Sequence, residues 1–142
     1  MIFFDKEKCC ACGACAVACM ALHDTDLAAG ERPLRRVRTE EEWRGGVLKL
    51  SYYSESCRHC ENARCMAACP GGALRRDAAT GYVFVQRELC TGCGACLGAC
   101  PFGAVSRDRD GKAAKCDGCM ARAARGEKPV CVLACPYGAL RG

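Results

Sequence analysis

Residues 88–105 have the sequence ELCTGCGACLGACPFGAV, in which four cysteines are spaced C-x2-C-x2-C-x3-C and followed by a proline. Three other cysteine blocks repeat this pattern with variations, at 9–19, 57–70 and 116–136. Block one lacks the proline, block two is C-x2-C-x4-C-x3-C-P, and block four is C-x2-C-x11-C-x3-C-P. Blocks two, three and four end in CPGGAL, CPFGAV and CPYGAL. This repetition indicates internal duplication of one small module.

Cysteine accounts for 17 of the 142 residues, a share typical of chains stapled by disulfides or by metal. The N-terminal sequence MIFFDKEKCC places Asp5 and Glu7 where the apolar part of a signal peptide would continue, so we expect no secretion signal. An odd number of thiols in a reducing compartment favours metal binding over disulfides. We therefore predict a cytoplasmic protein, with periplasmic co-export beside a signal-bearing partner as the alternative.

The spacing within each block favours 4Fe-4S clusters over zinc. Three cysteines in C-x2-C-x2-C can surround one cluster, while in bacterial ferredoxins the last cysteine of the run binds the other cluster of a pair. Zinc sites combine two C-x2-C pairs and have no use for a C-x3-C ending, which all four blocks share. The sixteen cysteines of the blocks therefore predict four 4Fe-4S clusters, and Cys10 is left over.

The order of the blocks predicts which of them share clusters. Blocks two and three are separated by only 20 residues, like the two halves of one two-cluster ferredoxin, which leaves blocks one and four to pair around them. Pairing of one with two and of three with four is the alternative. The nested arrangement predicts four metal sites: site 1 (Cys9, Cys12, Cys15, Cys135), site 2 (Cys19, Cys116, Cys119, Cys131), site 3 (Cys57, Cys60, Cys65, Cys100) and site 4 (Cys69, Cys90, Cys93, Cys96).

We predict an α+β fold in which two bacterial-ferredoxin-like, two-cluster units are nested in a single small domain, 1–142. Unit A comprises 1–19 with 101–142, unit B comprises 57–100, and 20–56 is an inserted hairpin. Short strands and short helices should connect the cysteines. We expect strands at 34–38, 47–53 and 82–85, the first two around a Gly45-Gly46 turn, and helices at 14–21, 63–68 and 95–99.

The formal charge of +5 would ordinarily suggest an acidic partner, but it counts every cysteine as neutral. With sixteen thiolates and four oxidised clusters, each site contributes about −2, and the loaded protein has a charge of roughly −3. We therefore expect no nucleic acid partner. No apolar run approaches the length of a transmembrane helix, so we also expect no direct membrane insertion.

Several residues outside the ligand set could have either a structural or a functional role. We favour an inert apolar role for Cys10 over a spare ligand, a supporting role for His59 over ligation, and a surface position for His23. Lys115 is interpreted as a surface lysine, with an effect on a cluster potential as the alternative. The segment with Arg32, Arg35, Arg36, Arg38 and Arg44 favours a solvated face over subunit docking. Trp43 suits an interface or the core equally well.

With these motifs the sequence resembles the four-cluster iron-sulfur subunits of molybdenum and tungsten oxidoreductases, such as those of dimethyl-sulfoxide reductase and formate dehydrogenase. The matching stretches are SCRHCENARCMAACPGGAL (56–74), ELCTGCGACLGACPFGAV (88–105) and KCDGCMARAARGEKPVCVLACPYGAL (115–140). The resemblance implies nested cluster pairing. It also implies a non-catalytic subunit of anaerobic metabolism that relays electrons between a large pterin-metal catalytic subunit and a second redox partner.

The compact length, ending at Gly142, is most similar to the small polyferredoxin subunit of bacterial tungsten aldehyde oxidoreductases. That resemblance implies a tungsten catalytic subunit on one side and a flavin subunit on the other, with stacking into a filament as a further possibility. A molybdopterin formate dehydrogenase or reductase, a free polyferredoxin and an iron-sulfur redox sensor are the alternatives. No acid and base pair suited to catalysis is apparent in the sequence.

Overall fold

The computed structural model describes residues 1–142 as short strands and short helices that alternate along the chain. The strands are β1 (Phe3–Phe4), β2 (Arg36–Arg44), β3 (Val47–Glu55), β4 (Leu74–Arg76), β5 (Val83–Val85), β6 (Ser106–Arg107), β7 (Ala113–Ala114) and β8 (Leu140–Arg141). The helices are α1 (Ala14–Leu22), α2 (Arg64–Ala67), α3 (Ala95–Ala99), α4 (Met120–Ala123) and α5 (Val130–Leu133). The predicted α+β combination of short elements is confirmed, whereas the division into units A and B stays a prediction.

Four two-stranded antiparallel sheets tie the chain together. Strands β4 and β5 pair between blocks two and three, and β6 pairs with β7 between blocks three and four. Strand β1 pairs with β8, so that Phe4 lies opposite Leu140 and the two ends of the chain meet. Block one therefore lies beside block four, although more than 95 residues separate them in the sequence.

The apolar core is thin and contains sulfur. Only 22 of 142 residues are buried, and nine of them form two separate apolar groups, of six and three residues. The first combines Leu74, Val83 and Val105 with Cys65 and Cys96. The second consists of Cys15, Cys131 and Leu140. So few buried aliphatic side chains contribute little hydrophobic stabilisation, which makes a second source of stability necessary in a chain of this length.

The inserted hairpin consists of β2 and β3, which pair along their whole length from Arg36↔Glu55 to Arg44↔Val47. Gly45 and Gly46 both have positive φ, at 56° and 82°, as a tight two-residue hairpin turn requires. The predicted hairpin is confirmed, but its first strand runs to Arg44 rather than ending at 38. The acidic residues Glu40, Glu41 and Glu42 lie in this strand on an exposed ribbon, where charged side chains are tolerated.

Trp43 lies at the tip of this hairpin, opposite Leu48. Its side chain is 70% exposed, and Val47 is 69% exposed. The interpretation of Trp43 as a core residue is therefore wrong.

None of the helices is both long and apolar enough to cross a bilayer.

Gly118, in the loop of block four, packs closely against Tyr82, the residue before β5. A Cβ atom there would lie 2.5 Å from the Tyr82 ring, whereas at Gly126, which has the same φ of 73°, it would meet nothing within 4 Å. We expect Gly126→Ala to cost about 1 kcal/mol from backbone strain alone. Gly118→Ala should cost about 1–3 kcal/mol more, because the ring must move.

Anaerobic denaturant unfolding of the two loaded variants would measure this difference. Equal losses of stability would contradict the packing of Tyr82 on Gly118.

Candidate metal centres

All seventeen cysteines are free thiols, so the structure contains no disulfide. In blocks one and three the third cysteine follows a glycine in the left-handed region, Gly13 with φ of 78° and Gly94 with φ of 84°, each of which precedes a helix. Left-handed backbone at this point turns the loop sharply into the helix. Cys15 and Cys19 then lie one turn apart on α1, both buried, as the C-x3-C spacing predicts.

Three of the four predicted sites coincide with cavities. One cavity is lined by the four cysteines of site 1 and by Cys10, the second by the four of site 3, and the third by the four of site 4. In each case three cysteines come from one block and the fourth from another: Cys135 at site 1, Cys100 at site 3 and Cys69 at site 4. Thiols distant in sequence therefore converge on the same spaces.

The cysteines predicted for site 2 are all buried: Cys19, Cys116, Cys119 and Cys131. Burial, together with the nearby thiolate charges of Cys116 and Cys131, raises the pKa of Cys19 to about 12. Burial likewise raises the pKa of Cys116 to about 11. Thiols in such a place deprotonate when a metal binds them, since a coordinating thiol exchanges its proton for the cation.

The repeated CPxGA sequences have a structural role that the sequence pattern alone did not reveal. In each repeat the backbone N–H of the alanine donates to the Sγ of the cysteine four residues earlier, at 3.2 Å from Ala73 to Cys69, 3.4 Å from Ala104 to Cys100 and 3.2 Å from Ala139 to Cys135. These bonds favour the thiolate. Burial alone would raise the pKa of Cys69, but backbone hydrogen bonds outweigh it and lower that pKa. The sequence signal for these hydrogen bonds was the alanine that recurs four residues after the last cysteine of blocks two, three and four.

Other backbone amides also donate to sulfur. The N–H of His59 bonds Cys57, that of Gly118 bonds Cys116 and that of Ala113 bonds Cys90, each at 3.4 Å. Ser54 Oγ lies 3.3 Å from Cys15 Sγ. Each site therefore has at least one polar group directed at a sulfur atom, as iron-sulfur sites use to stabilise their negative charge.

Two cations are buried near these thiols, contrary to the sequence-based interpretations. Arg35 is 2% exposed and Lys115 is 5% exposed. Interpreting Lys115 as a surface lysine was wrong, and so was placing Arg35 on a solvated face with its neighbours. The remaining segment is more open: Arg38 pairs with Glu55, and Arg44 pairs with Glu42. The burial of Arg35 was not predicted, because arginines close to it in the sequence, such as Arg38 and Arg44, are exposed.

The buried cations show what kind of group fits the cysteine sites. Neither Arg35 nor Lys115 takes part in an ion pair with a carboxylate. A buried charge without an opposite charge nearby is strongly unfavourable. Four thiolates around an oxidised 4Fe-4S core have a net charge of about −2, which supplies the missing counter-charge. The residues present therefore fit an anionic iron-sulfur cluster.

His59 is buried between two predicted ligands of site 3. Its Nδ1 accepts the backbone N–H of Val83 at 2.9 Å, and its ring lies 4.6 Å from that of Tyr82. Burial and the nearby charge of Lys115 lower the pKa of His59 to about 3. The ring is therefore neutral, with its proton on Nε2, which has no hydrogen-bond partner in the protein. This geometry agrees with a supporting role rather than ligation.

The remaining candidates are peripheral. Cys10 is exposed at the rim of the site 1 cavity, so it is not packed as a core side chain. His23 is half-buried rather than fully at the surface, and its ring lies within 4.8 Å of ligand atoms of Asp117 and Cys119. Cys119 is one of the cysteines predicted for site 2, so this trio overlaps that predicted site.

Comparisons with known proteins place these cysteines in a family context. A family model for the 4Fe-4S dicluster domain matches residues 48–141. The sequence is 36% identical over 146 residues to the B subunit of the anaerobic dimethyl sulfoxide reductase of Haemophilus influenzae, covering 97% of this protein and 70% of that one. It is 37% identical over 143 residues to the thiosulfate reductase electron transfer subunit PhsB of Salmonella typhi, covering 99% and 73%. Protein NrfC of Escherichia coli is 38% identical over 138 residues, covering 96% and 61%.

Removal of iron should unfold most of the chain. The thin core cannot compensate the entropy of ordering, and Arg35 and Lys115 would lose their counter-charge. Oxidation followed by chelation should therefore abolish the cooperative thermal transition and most of the circular dichroism of the loaded protein. An iron-free chain that still unfolds cooperatively would show that the polypeptide is stable without metal.

Proposed function

This chain belongs to the 4Fe-4S dicluster domain family, and on that premise we propose that it is the iron-sulfur, electron-transfer subunit of a larger oxidoreductase. The observation that carries the proposal is the convergence of thiols from different blocks on shared cavities. Bound 4Fe-4S clusters would supply one-electron redox chemistry. The polypeptide holds them in place, limits their contact with water and adjusts the charge around them.

The ligand sets are those of the nested arrangement. Three cavities support it, because each combines cysteines that the nested pairing assigns to one site. The serial alternative would require Cys69 beside the block-one cysteines, yet Cys69 lines a cavity with block three. For site 2, the support is that Cys116 and Cys131 lie close enough to Cys19 for their charges to raise its pKa.

The contacts support a linear order of sites 1, 2, 3 and 4. Cys15 of site 1 and Cys131 of site 2 belong to one buried apolar group, and Cys65 of site 3 and Cys96 of site 4 belong to the other. Lys115 connects site 2 with the group that contains Cys65 and Cys96, because it precedes Cys116 of site 2 and donates to Val83 O in that group. The outermost sites are the accessible ones, since Cys12 of site 1 and Cys93 of site 4 are exposed. Electrons would enter at one end and leave at the other.

The partner at one end is proposed to be a large molybdopterin catalytic subunit. Two relatives are named as a component of an anaerobic dimethyl sulfoxide reductase and as the electron transfer subunit of a thiosulfate reductase, which supports a reductase of this kind. The narrower proposal, from the resemblance of the sequence, is a tungsten aldehyde oxidoreductase with a flavin subunit at the other end. Filament formation and a cytoplasmic location stay predictions.

Paired cysteine variants distinguish nested from serial ligation. In the nested arrangement Cys12 and Cys135 serve one cluster, so Cys12→Ala/Cys135→Ala should disturb a single electron paramagnetic resonance (EPR) signal and retain about twelve of sixteen irons. The control Cys12→Ala/Cys69→Ala should disturb two signals and retain about eight.

Serial ligation predicts the opposite result, since Cys12 would then share a cluster with Cys69. Iron and sulfide analysis together with anaerobic EPR would measure both outcomes.

Anaerobic isolation of the native complex tests the role as a subunit. We expect an affinity-tagged chain to co-purify with a larger polypeptide that contains a pterin-bound metal, and to be reduced when the substrate of that polypeptide is added. Metal analysis then separates molybdenum from tungsten, and a bound flavin would support the narrower proposal. A chain that elutes alone with four clusters would instead be a free polyferredoxin.

A further inference from the structure

Lys115 is buried between Cys116 of site 2 and the apolar group that contains Val83. Its Nζ donates to the carbonyl oxygen of Val83 on β5 and, at 2.7 Å, to that of Cys116. The N–H of Val83 in turn donates to His59 Nδ1 at 2.9 Å. A continuous path of hydrogen bonds therefore runs from block two, which holds His59, to Lys115 at the start of block four. The ammonium group is fixed by backbone carbonyls and cannot turn toward solvent.

The charge of Lys115 acts on two sites. Cys116 is a ligand of site 2, and Val83 lines the site 3 cavity together with the four cysteines of that site, so the two carbonyl oxygens bound by Lys115 Nζ belong to the surroundings of both sites. No carboxylate neutralises this ammonium, whereas the exposed Arg87 is paired with Asp110 at 2.7 Å. The positive charge is therefore available to the sulfur atoms on either side.

Arg35 is a second buried cation, and its contacts place it beside sites 1 and 3. Its guanidinium donates to Ser54 Oγ at 2.9 Å and to Ser56 Oγ at 2.8 Å, which holds it at the base of the hairpin. Ser54 Oγ lies 3.3 Å from Cys15 Sγ of site 1, and Ser56 precedes Cys57 of site 3, which lines the same cavity as Arg35. Lys115 is therefore the buried cation whose contacts join sites 2 and 3.

Site 4 has no comparable charge. The guanidinium that lines its cavity is that of Arg107, which lies at the surface and donates to Gly92 O and, at 2.8 Å, to Gly111 O. Water screens an exposed charge far more than a buried one.

We propose that Lys115 is a potential-setting residue shared by sites 2 and 3. This inference rests on the proposed function. When one electron passes from a neighbouring cluster to site 2, the net charge there changes from about −2 to about −3, while the donor loses one negative charge and no bond or proton changes. A buried cation stabilises the added negative charge and so raises the reduction potential.

The test removes the charge of Lys115 and keeps a side chain of similar length and shape. We expect Lys115→Met to lower the ratio of reduced to oxidised cluster at sites 2 and 3 about tenfold at a fixed solution potential, equivalent to about 59 mV for a one-electron couple. Sites 1 and 4 should not change. Lys115→Arg should restore most of the ratio, and Lys49→Met, which removes the same charge from the exposed hairpin, should leave all four sites unchanged.

EPR-monitored redox titration of the anaerobic, loaded protein measures these ratios. The signals of sites 2 and 3 are assigned from the variants Cys119→Ser and Cys60→Ser. Lys115→Gln provides a second variant without the charge, for which the ratios at sites 2 and 3 should fall in the same way. It also keeps the proposal testable if Lys115→Met does not hold its clusters.

The outcomes separate this inference from the proposed function. Variants that retain four clusters but titrate like the wild type would overturn the role of Lys115 and leave electron transfer intact. Equal shifts at all four sites would overturn it as well, because a structural disturbance would then explain them. A wild-type protein with far fewer than about sixteen irons would contradict the proposed function and this inference together.

Discussion

Convergence of thiols from distant parts of the chain is the constraint on which the rest of the structure depends. Three cavities each combine three cysteines of one block with a fourth from another, and pairing of β1 with β8 brings the first and last blocks together. With 22 buried residues, hydrophobic contacts alone provide little stability. Metal–thiolate bonds would replace them, so the groups that transfer electrons would also hold the fold together.

Negative charge on so many sulfur atoms requires compensation, and the chain supplies it in two ways. Backbone amides belong to the repeat itself, so the CPxGA sequence provides an N–H to a cysteine in three blocks. Arg35 and Lys115 lie outside the repeated pattern and are buried beside some of the sites. The repeat therefore makes the sites alike, whereas residues outside it make them different.

The hairpin contributes to the interior through its base rather than its tip. Ser54 and Ser56 orient Arg35, and Ser54 also lies against Cys15 of site 1. The tip, with Trp43 and Leu48, extends into solvent. An insertion that resembles a surface decoration in the sequence therefore carries groups that reach two of the proposed metal sites.

Cysteine spacing was enough to predict 4Fe-4S chemistry. Local pattern predicted the short helices at 14–21, 63–68 and 95–99, each within a residue of the observed bounds, and the hairpin, because these depend on residues close together in the chain. Serial and nested pairing could not be separated by local pattern, since both use the same spacings. The burial of Arg35 and Lys115 was also missed, because neighbouring residues are exposed and only packing of distant segments encloses these two. Ligand chemistry is thus encoded locally, whereas the electrostatic environment of each site arises from contacts across the whole fold, where charge acts through space rather than along the chain.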